Sequence, residues 1–381
     1  MKVFVRKGGS GSLNNQGLPF YDKRPLSRKG HRDNTALPKG GLIYPAGYVI
    51  FTLMSKRNRI NLLLVAAAAA ALVYLACGAS VTEPDTADKG TTWVADASGG
   101  VYKIGAACKA VAASAVDLGK PSAVVYDSYN GYCWVADVEG GRVLRMTQRG
   151  VVDKTLYGFG EPVALAYFPK EGTVWVADRA GGKVSKLGMR GSVMAEVGGF
   201  VEPVALAVDY RNGDVFVADK GDGAVVRLDR NAKLKARFRR YDQPSALAFD
   251  HGAGYLWVAD TGNGRICKTN PTTGETVKTS HALATPSAIA VNAGTNVVFA
   301  ADITAGKVIS LDADASKVRW ARNYKRPTAL AANPYDHSLW VADEYSYAVY
   351  KLHGNTGNPY DEAVVGGFEK PVALFADPGL R

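Results

Sequence analysis

Seven copies of one short motif, spaced 41 or 42 residues apart, constrain this chain more than any other feature. Trp93-Val-Ala-Asp96 returns as Trp134-Val-Ala-Asp137, Trp175-Val-Ala-Asp178, Phe216-Val-Ala-Asp219, Trp257-Val-Ala-Asp260, Phe299-Ala-Ala-Asp302 and Trp340-Val-Ala-Asp343. A second motif, Pro-x-Ala, interleaves with it, beginning at Pro121, Pro162, Pro203, Pro244, Pro286, Pro327 and Pro371. A fixed period near 40 residues identifies a repeat architecture in which each unit buries its apolar face against the next.

Each repeat reads as four short extended runs. In one copy, Pro244–Phe249 is apolar and ends at Asp-His-Gly, a turn signal; Tyr255–Ala259 is β-rich and ends at Asp260-Thr-Gly-Asn-Gly264. Arg265–Thr269 alternates, and Thr276–Leu283 is a weak fourth run. Four antiparallel strands per repeat predict a β-propeller blade. The repeats open on the second-strand motif at Trp93 and close on a lone first-strand motif, Pro371-Val-Ala-Leu-Phe375. The expectation is therefore an all-β, seven-bladed propeller over 91–378. Its C-terminal strand completes the N-terminal blade, which removes the open sheet edge.

Composition agrees. A 47% hydrophobic, 21% charged chain is not disordered, and four cysteines in 381 residues exclude a disulfide-stapled mini-protein. The net charge of +11 is uneven: residues 1–76 hold 12 Lys+Arg and 2 Asp+Glu, leaving the rest near neutral. A nucleic-acid binder carries its basic excess on the folded domain, so no nucleic-acid partner is expected.

The basic segment has a different reading. Ser55-Lys-Arg-Asn-Arg59 precedes an apolar run ending at Ala76, followed by small residues. This is the pattern of a secretory signal peptide, and it is short for a membrane span. Leu75-Ala76-Cys77-Gly78 resembles a bacterial lipobox, which implies lipid attachment at Cys77 and a membrane-anchored place in the cell envelope. Tyr74 and Leu75 depart from the preferred residues, so an uncleaved anchor is the other reading. Met54 lies just before the basic stretch. The expected division is 1–53 as a disordered or non-native extension, 54–77 as signal peptide or anchor, 78–90 as linker, and then the propeller.

Asp260-Thr-Gly-Asn-Gly-Arg-Ile266, with Val258-Ala259 before it and Pro244-Ser-Ala-Leu-Ala248 upstream, resembles an NHL repeat. The resemblance implies an NHL-like propeller, a group that includes streptogramin lyase-like and other extracytoplasmic propellers. It implies a fold and no single function.

The seven motif aspartates each end a strand and open a turn, where a carboxylate accepts backbone N–H bonds. A carboxylate ring holding a cation is the functional alternative. The motif Trp and Phe residues are expected in the core between blades. Function is sought instead where blades differ, at the channel-mouth rim formed by the residue after each Asp and the residue before each Pro. Arg179, Lys220, Arg326, Glu344, Glu161 and Glu202 are the candidate ligand-binding residues there. Glu344-Tyr-Ser-Tyr347 replaces the usual Gly pair, so the symmetry breaks in that blade.

Catalytic groups are scarce. The propeller holds His251, His281, His337 and His353, without metal-ligand spacing. No catalytic residue, metal ligand or cofactor is assigned. Lys233, Lys235, Arg237 and Arg239 alternate with other residues, as on one face of an exposed outer strand; contact with anionic lipid or polysaccharide is the alternative. Export makes a disulfide between Cys108 and Cys133, in neighbouring blades, one reading, with Cys267 then left as a buried apolar side chain. The reading favoured is a membrane-tethered, monomeric, non-enzymatic propeller that binds an envelope protein or polysaccharide. The alternative is a divalent-metal-dependent lyase or lactonase of the streptogramin lyase-like or gluconolactonase-like type.

Overall fold

The computed structural model describes residues 91–105 and 111–376. They form seven four-stranded antiparallel sheets. Blade 1 is composite: Pro371–Ala376 pairs with Thr92–Asp96, which continues through Gly100–Ile104 to Val111–Ala115. Blades 2 to 7 run continuously over 121–157, 162–198, 203–238, 244–279, 286–323 and 327–366. The seven Pro strands lie innermost, each touching the Pro strands of both neighbours. The expected blade count and ring closure are therefore observed.

One boundary differs. The outer strand of blade 5 is only Thr276–Thr279, because Ser280 Oγ takes the Ile266 N–H at 2.9 Å and ends the ladder.

The Pro-x-Ala motif has a geometric reason. In blades 2 to 7 the register slips between the Pro and the Ala, which is a β-bulge at the middle residue. Some of these bulged residues bond across the ring. Ser122 Oγ donates to the Pro162 carbonyl at 2.7 Å, and Thr328 Oγ1 to the Pro371 carbonyl at 2.8 Å. Two residues further along, Val124, Leu165, Leu206, Leu247, Ile289 and Leu330, all buried, form an aliphatic collar around the axis.

Core packing is a ring of seven clusters, one per blade interface. Each is built on one motif aromatic: Trp175 of blade 3 packs with Leu206, Val208 and Leu228 of blade 4, and Trp340 of blade 7 with Val94, Ile104 and Ala376 of blade 1. Truncating such a Trp to Ala costs about 3–5 kcal/mol.

A feature that sequence reading missed faces these aromatics. Lys103, Arg145, Lys186, Arg227, Lys268 and Lys351 occupy one position of the third strand, each directly opposite the motif Trp or Phe. Arg145, Lys186, Lys268 and Lys351 lie against the rings: Lys186 Nζ is 5.6 Å from the Trp175 centroid, and Lys351 Nζ 5.3 Å from Trp340. Among the described residues, Arg145, Lys186 and Lys268 also reach the next blade. Arg145 donates to the Met189 carbonyl, Lys186 to that of Arg230 at 2.7 Å, and Lys268 to that of Ala313 at 2.8 Å. Blade 6 holds Ser310 instead, and Trp320 from its outer strand fills the space beside Phe299, centroids 5.8 Å apart.

Candidate functional site

The motif aspartates are buried, and their oxygens face N–H groups. Asp178 is typical. It accepts from Gly160 N and Glu161 N in the loop before Pro162, at 3.0 and 2.8 Å, and from Gly181 N in its own turn at 3.0 Å. The same latch joins Asp219 to Val201 and Glu202, Asp302 to Ala284 and Thr285, Asp343 to Lys325 and Arg326, and Asp96 to Glu369 and Lys370. The turn bonds follow from the sequence, but the bonds to the loop do not. Third-strand arginines add to two of them: Arg142 Nε is 2.7 Å from Asp137, and Arg265 Nε 2.8 Å from Asp260. A carboxylate ringed by donors is a poor cation ligand, so these seven do not fit a metal site. Among the described residues, no group of three or more His, Cys, Asp or Glu is arranged to hold a metal ion.

The six rim candidates resolve into three pairs, each within one blade. A backbone bond joins the residue after the Asp to the residue before the Pro: Arg179 N to the Glu161 carbonyl at 2.9 Å, Lys220 N to Glu202 at 2.8 Å, and Glu344 N to Arg326 at 3.0 Å. Side chains close two of these pairs, Arg179–Glu161 at 2.7 Å and Arg326–Glu344 at 2.8 Å. Lys370 of the composite blade also reaches Glu344, at 3.4 Å. The structure therefore gathers Arg326, Glu344 and Lys370 into one cluster, while Arg179–Glu161 and Lys220–Glu202 stay on blades 3 and 4.

The symmetry break at Glu344-Tyr-Ser-Tyr347 is a structural one. Five blades place a glycine at the last position of this turn, in the left-handed conformation: Gly141, Gly182, Gly223, Gly264 and Gly306, with φ from 56° to 60°. Tyr347 takes the same conformation at φ 55°. A side chain there costs roughly 1–2 kcal/mol. A Cβ on Gly182 would meet the Phe200 carbonyl oxygen at 2.8 Å, and the other four glycines face similar carbonyls. In blades 1 to 6 the residue before the crossover donates to this turn, as Phe200 N does to the Gly182 carbonyl at 3.2 Å; among the described residues of blade 7 there is no such bond. Tyr347 is 57% exposed and Tyr345 53%, so burial does not offset the cost. The Arg326 guanidinium lies 5.2 Å from the Tyr345 ring. Beside them Tyr324, Lys325, Asp343, Ser346 and Tyr350 line a depression of about 330 Å³.

The histidines are scattered, His353 ending the third strand of blade 7. His251 and His337 occupy turns before second strands, on the face opposite the motif aspartates, and His281 follows the outer strand of blade 5. The basic run sits on the outermost strand of blade 4, Leu234–Phe238, where Arg237 and Arg239 pair with Asp222, and Lys235 lies 3.6 Å from Asp214. Cys133 and Cys267 are buried free thiols. Burial pushes both up, Cys267 to about 12. Cys77, Cys108 and the expected signal segment lie outside the described residues.

No protein-family model and no curated protein matches the sequence. Solved structures do resemble it. A streptogramin B lyase superposes with a TM-score of 0.56 at 15% identity, over 67% of this chain and 86% of that one. A virginiamycin B lyase from Staphylococcus aureus does so at 0.53 and 14%, over 64% and 83%. A catalytically inactive virginiamycin B lyase from the same organism, with quinupristin, gives 0.56 and 14%, over 66% and 87%. Identity this low is a likeness of fold.

Proposed function

We propose that this chain is an NHL-like propeller exported to the bacterial cell envelope, tethered there through Cys77 or its preceding apolar segment, and acting as a monomeric, non-enzymatic platform that binds a protein partner. The carrying observation is Tyr347: an exposed aromatic kept in a strained conformation, on one blade, at the cost of a backbone bond. Backbone strain that no packing offsets is a mark of a functional position. Tyr345, Tyr347 and Arg326 are also the residue types that dominate binding energy at protein interfaces. Lys325, Arg326 and Lys370 outnumber Glu344, which suits an acidic contact segment on the partner. Lipid attachment at Cys77 rests on Leu75-Ala-Cys77 and the basic and apolar residues before it.

The lyase or lactonase reading rests on likeness of fold. The seven motif aspartates are committed to N–H groups, and no group of three or more His, Cys, Asp or Glu among the described residues is arranged to hold a cation, so no catalytic step is derived through one.

A photoreactive phenylalanine at position 345, in cells, tests the platform. The expected result is a discrete protein adduct that disappears in Tyr347→Gly and is absent when the probe replaces Ala180, the matching position of blade 3. Equal adducts at both positions, no adduct, or an adduct with polysaccharide alone would overturn it.

A further inference from the structure

The inner strands of blades 2 to 5 and the closing strand bound a cavity of about 270 Å³ at the end of the axis away from the motif aspartates. The aliphatic collar is its floor. Its wall is one-sided. Blades 3 to 5 contribute Tyr167, Tyr210, Phe249 and His251, where blades 6 and 7 have Val291, Ala293, Ala332 and Pro334. The Tyr210 ring stacks on the His251 imidazole, centroids 3.8 Å apart and planes 14° apart, and Phe249 leans on the same imidazole at 5.3 Å. These contacts hold the aromatic wall rigid across the interface of blades 4 and 5.

The polar groups of the wall divide into satisfied and unsatisfied. Tyr167 donates its hydroxyl to Asp127 at 2.5 Å, and Asp127 also accepts from Tyr129 N and Asn130. Asp209 is held by Arg211, and Asp250 by Gly252 N and Ala253 N. His251 Nδ1 is buried without a partner, and the Tyr210 hydroxyl makes no hydrogen bond among the described residues. Both groups stay neutral near pH 7, because burial pushes His251 down to about 4 and Tyr210 up to about 12. None of the residues that line the cavity carries a charge near pH 7; Asp127, Asp209 and Asp250 stand behind the lining and turn their oxygens to these donors. Its volume falls just below the roughly 300 Å³ at which drug-sized ligand sites begin, which limits it to a small molecule.

We propose that this cavity binds a small, neutral, planar heteroaromatic molecule, its ring against the Tyr167–Tyr210–Phe249 wall and its polar edge on the Tyr210 hydroxyl and the His251 imidazole. Ring stacking selects planarity, and the two neutral polar groups select a ligand that both donates and accepts. The site is separate from the Tyr347 corner and does not depend on it.

A matched pair of probes tests this on the full chain. 2-Quinolone is planar, neutral, and carries one donor and one acceptor; octahydro-2-quinolone keeps that polar edge and loses the flat ring. Titration calorimetry is expected to show 2-quinolone binding one site at least about tenfold more tightly than its saturated counterpart. Tyr210→Leu should weaken it by about tenfold or more. Should Tyr210→Leu melt below the assay temperature, Tyr210→Phe removes the hydroxyl alone and should still weaken binding several-fold. Absence of saturable binding up to the solubility limit, equal affinity for both lactams, or an affinity unchanged in a folded Tyr210 variant would overturn the proposal.

Discussion

Trp320 Nε1 donates to the Gly354 carbonyl at 2.9 Å, and so makes from the outer strand of blade 6 the bond that Lys186 makes to the Arg230 carbonyl from the third strand of blade 3. The two carbonyls occupy equivalent turns of the following blades. The lysine that blade 6 lacks is thus replaced in both its roles, contact with the motif aromatic and the tie to the next blade.

This exchange predicts a measurable coupling. Lys186→Met removes bonds to Glu171 at 2.6 Å and to the Arg230 carbonyl, and should cost about 2 kcal/mol in denaturant unfolding. Ser310→Lys alone should destabilise by about 1–3 kcal/mol, because Trp320 already fills that space. Adding Trp320→Ala, which recreates the Lys186–Ala195 pairing of blade 3, should recover much of the loss. Strict additivity in this double-mutant cycle would contradict the assignment.

Tyr347→Gly should leave stability unchanged or raise it by up to about 1 kcal/mol, since it relieves a left-handed side chain. The partner adduct at position 345 should fall at the same time. A loss of more than about 1 kcal/mol on thermal unfolding would instead make Tyr347 a packing residue.

The aspartate latch and the rim pairs should separate cleanly. Asp178→Ala strands the N–H groups of Gly160, Glu161 and Gly181, and should cost about 3 kcal/mol or more. Arg179→Ala breaks only a half-exposed pair with Glu161 and should cost at most about 1 kcal/mol. Matching losses at both positions in urea melts would refute the division.

His251 gives a pH dependence with a definite sign. Burial holds its folded pKa at about 4, below the ordinary 6.5, so between those values the unfolded chain binds more protons. Its contribution is intact above pH 6.5, is lost as the pH falls, and is fully lost below 4, amounting to about 3 kcal/mol. Stability measured at pH 7 and at pH 4 should differ by less in His251→Gln than in the parent chain. An unchanged difference would mean that the imidazole is not buried neutral.

The ring was legible in the sequence because its period is written in large residues. Seven aromatics at one spacing can only be stacked interfaces, and the lone Pro371 motif announced the composite blade. The bulge in Pro-x-Ala was not legible, since one extra residue leaves no mark on the motif. The Lys186 position was in plain view at the same period, but it alternates with apolar residues and so reads as the solvent face of a strand. At the candidate site, the sequence located the break at Glu344–Tyr347 but not its meaning, which lies in a backbone angle. The stack of Tyr210 on His251 joins two blades and has no local signature.

A non-enzymatic platform requires that the seven motif carboxylates serve the backbone and hold no cation. Metal content of the purified protein, with thermal melts in the presence and absence of chelator, tests it directly. No stoichiometric calcium, magnesium or zinc is expected, with the same melting temperature in both. One tightly held ion per chain, with a melting temperature that falls on chelation and in Asp343→Asn, would contradict it and restore the lyase or lactonase reading.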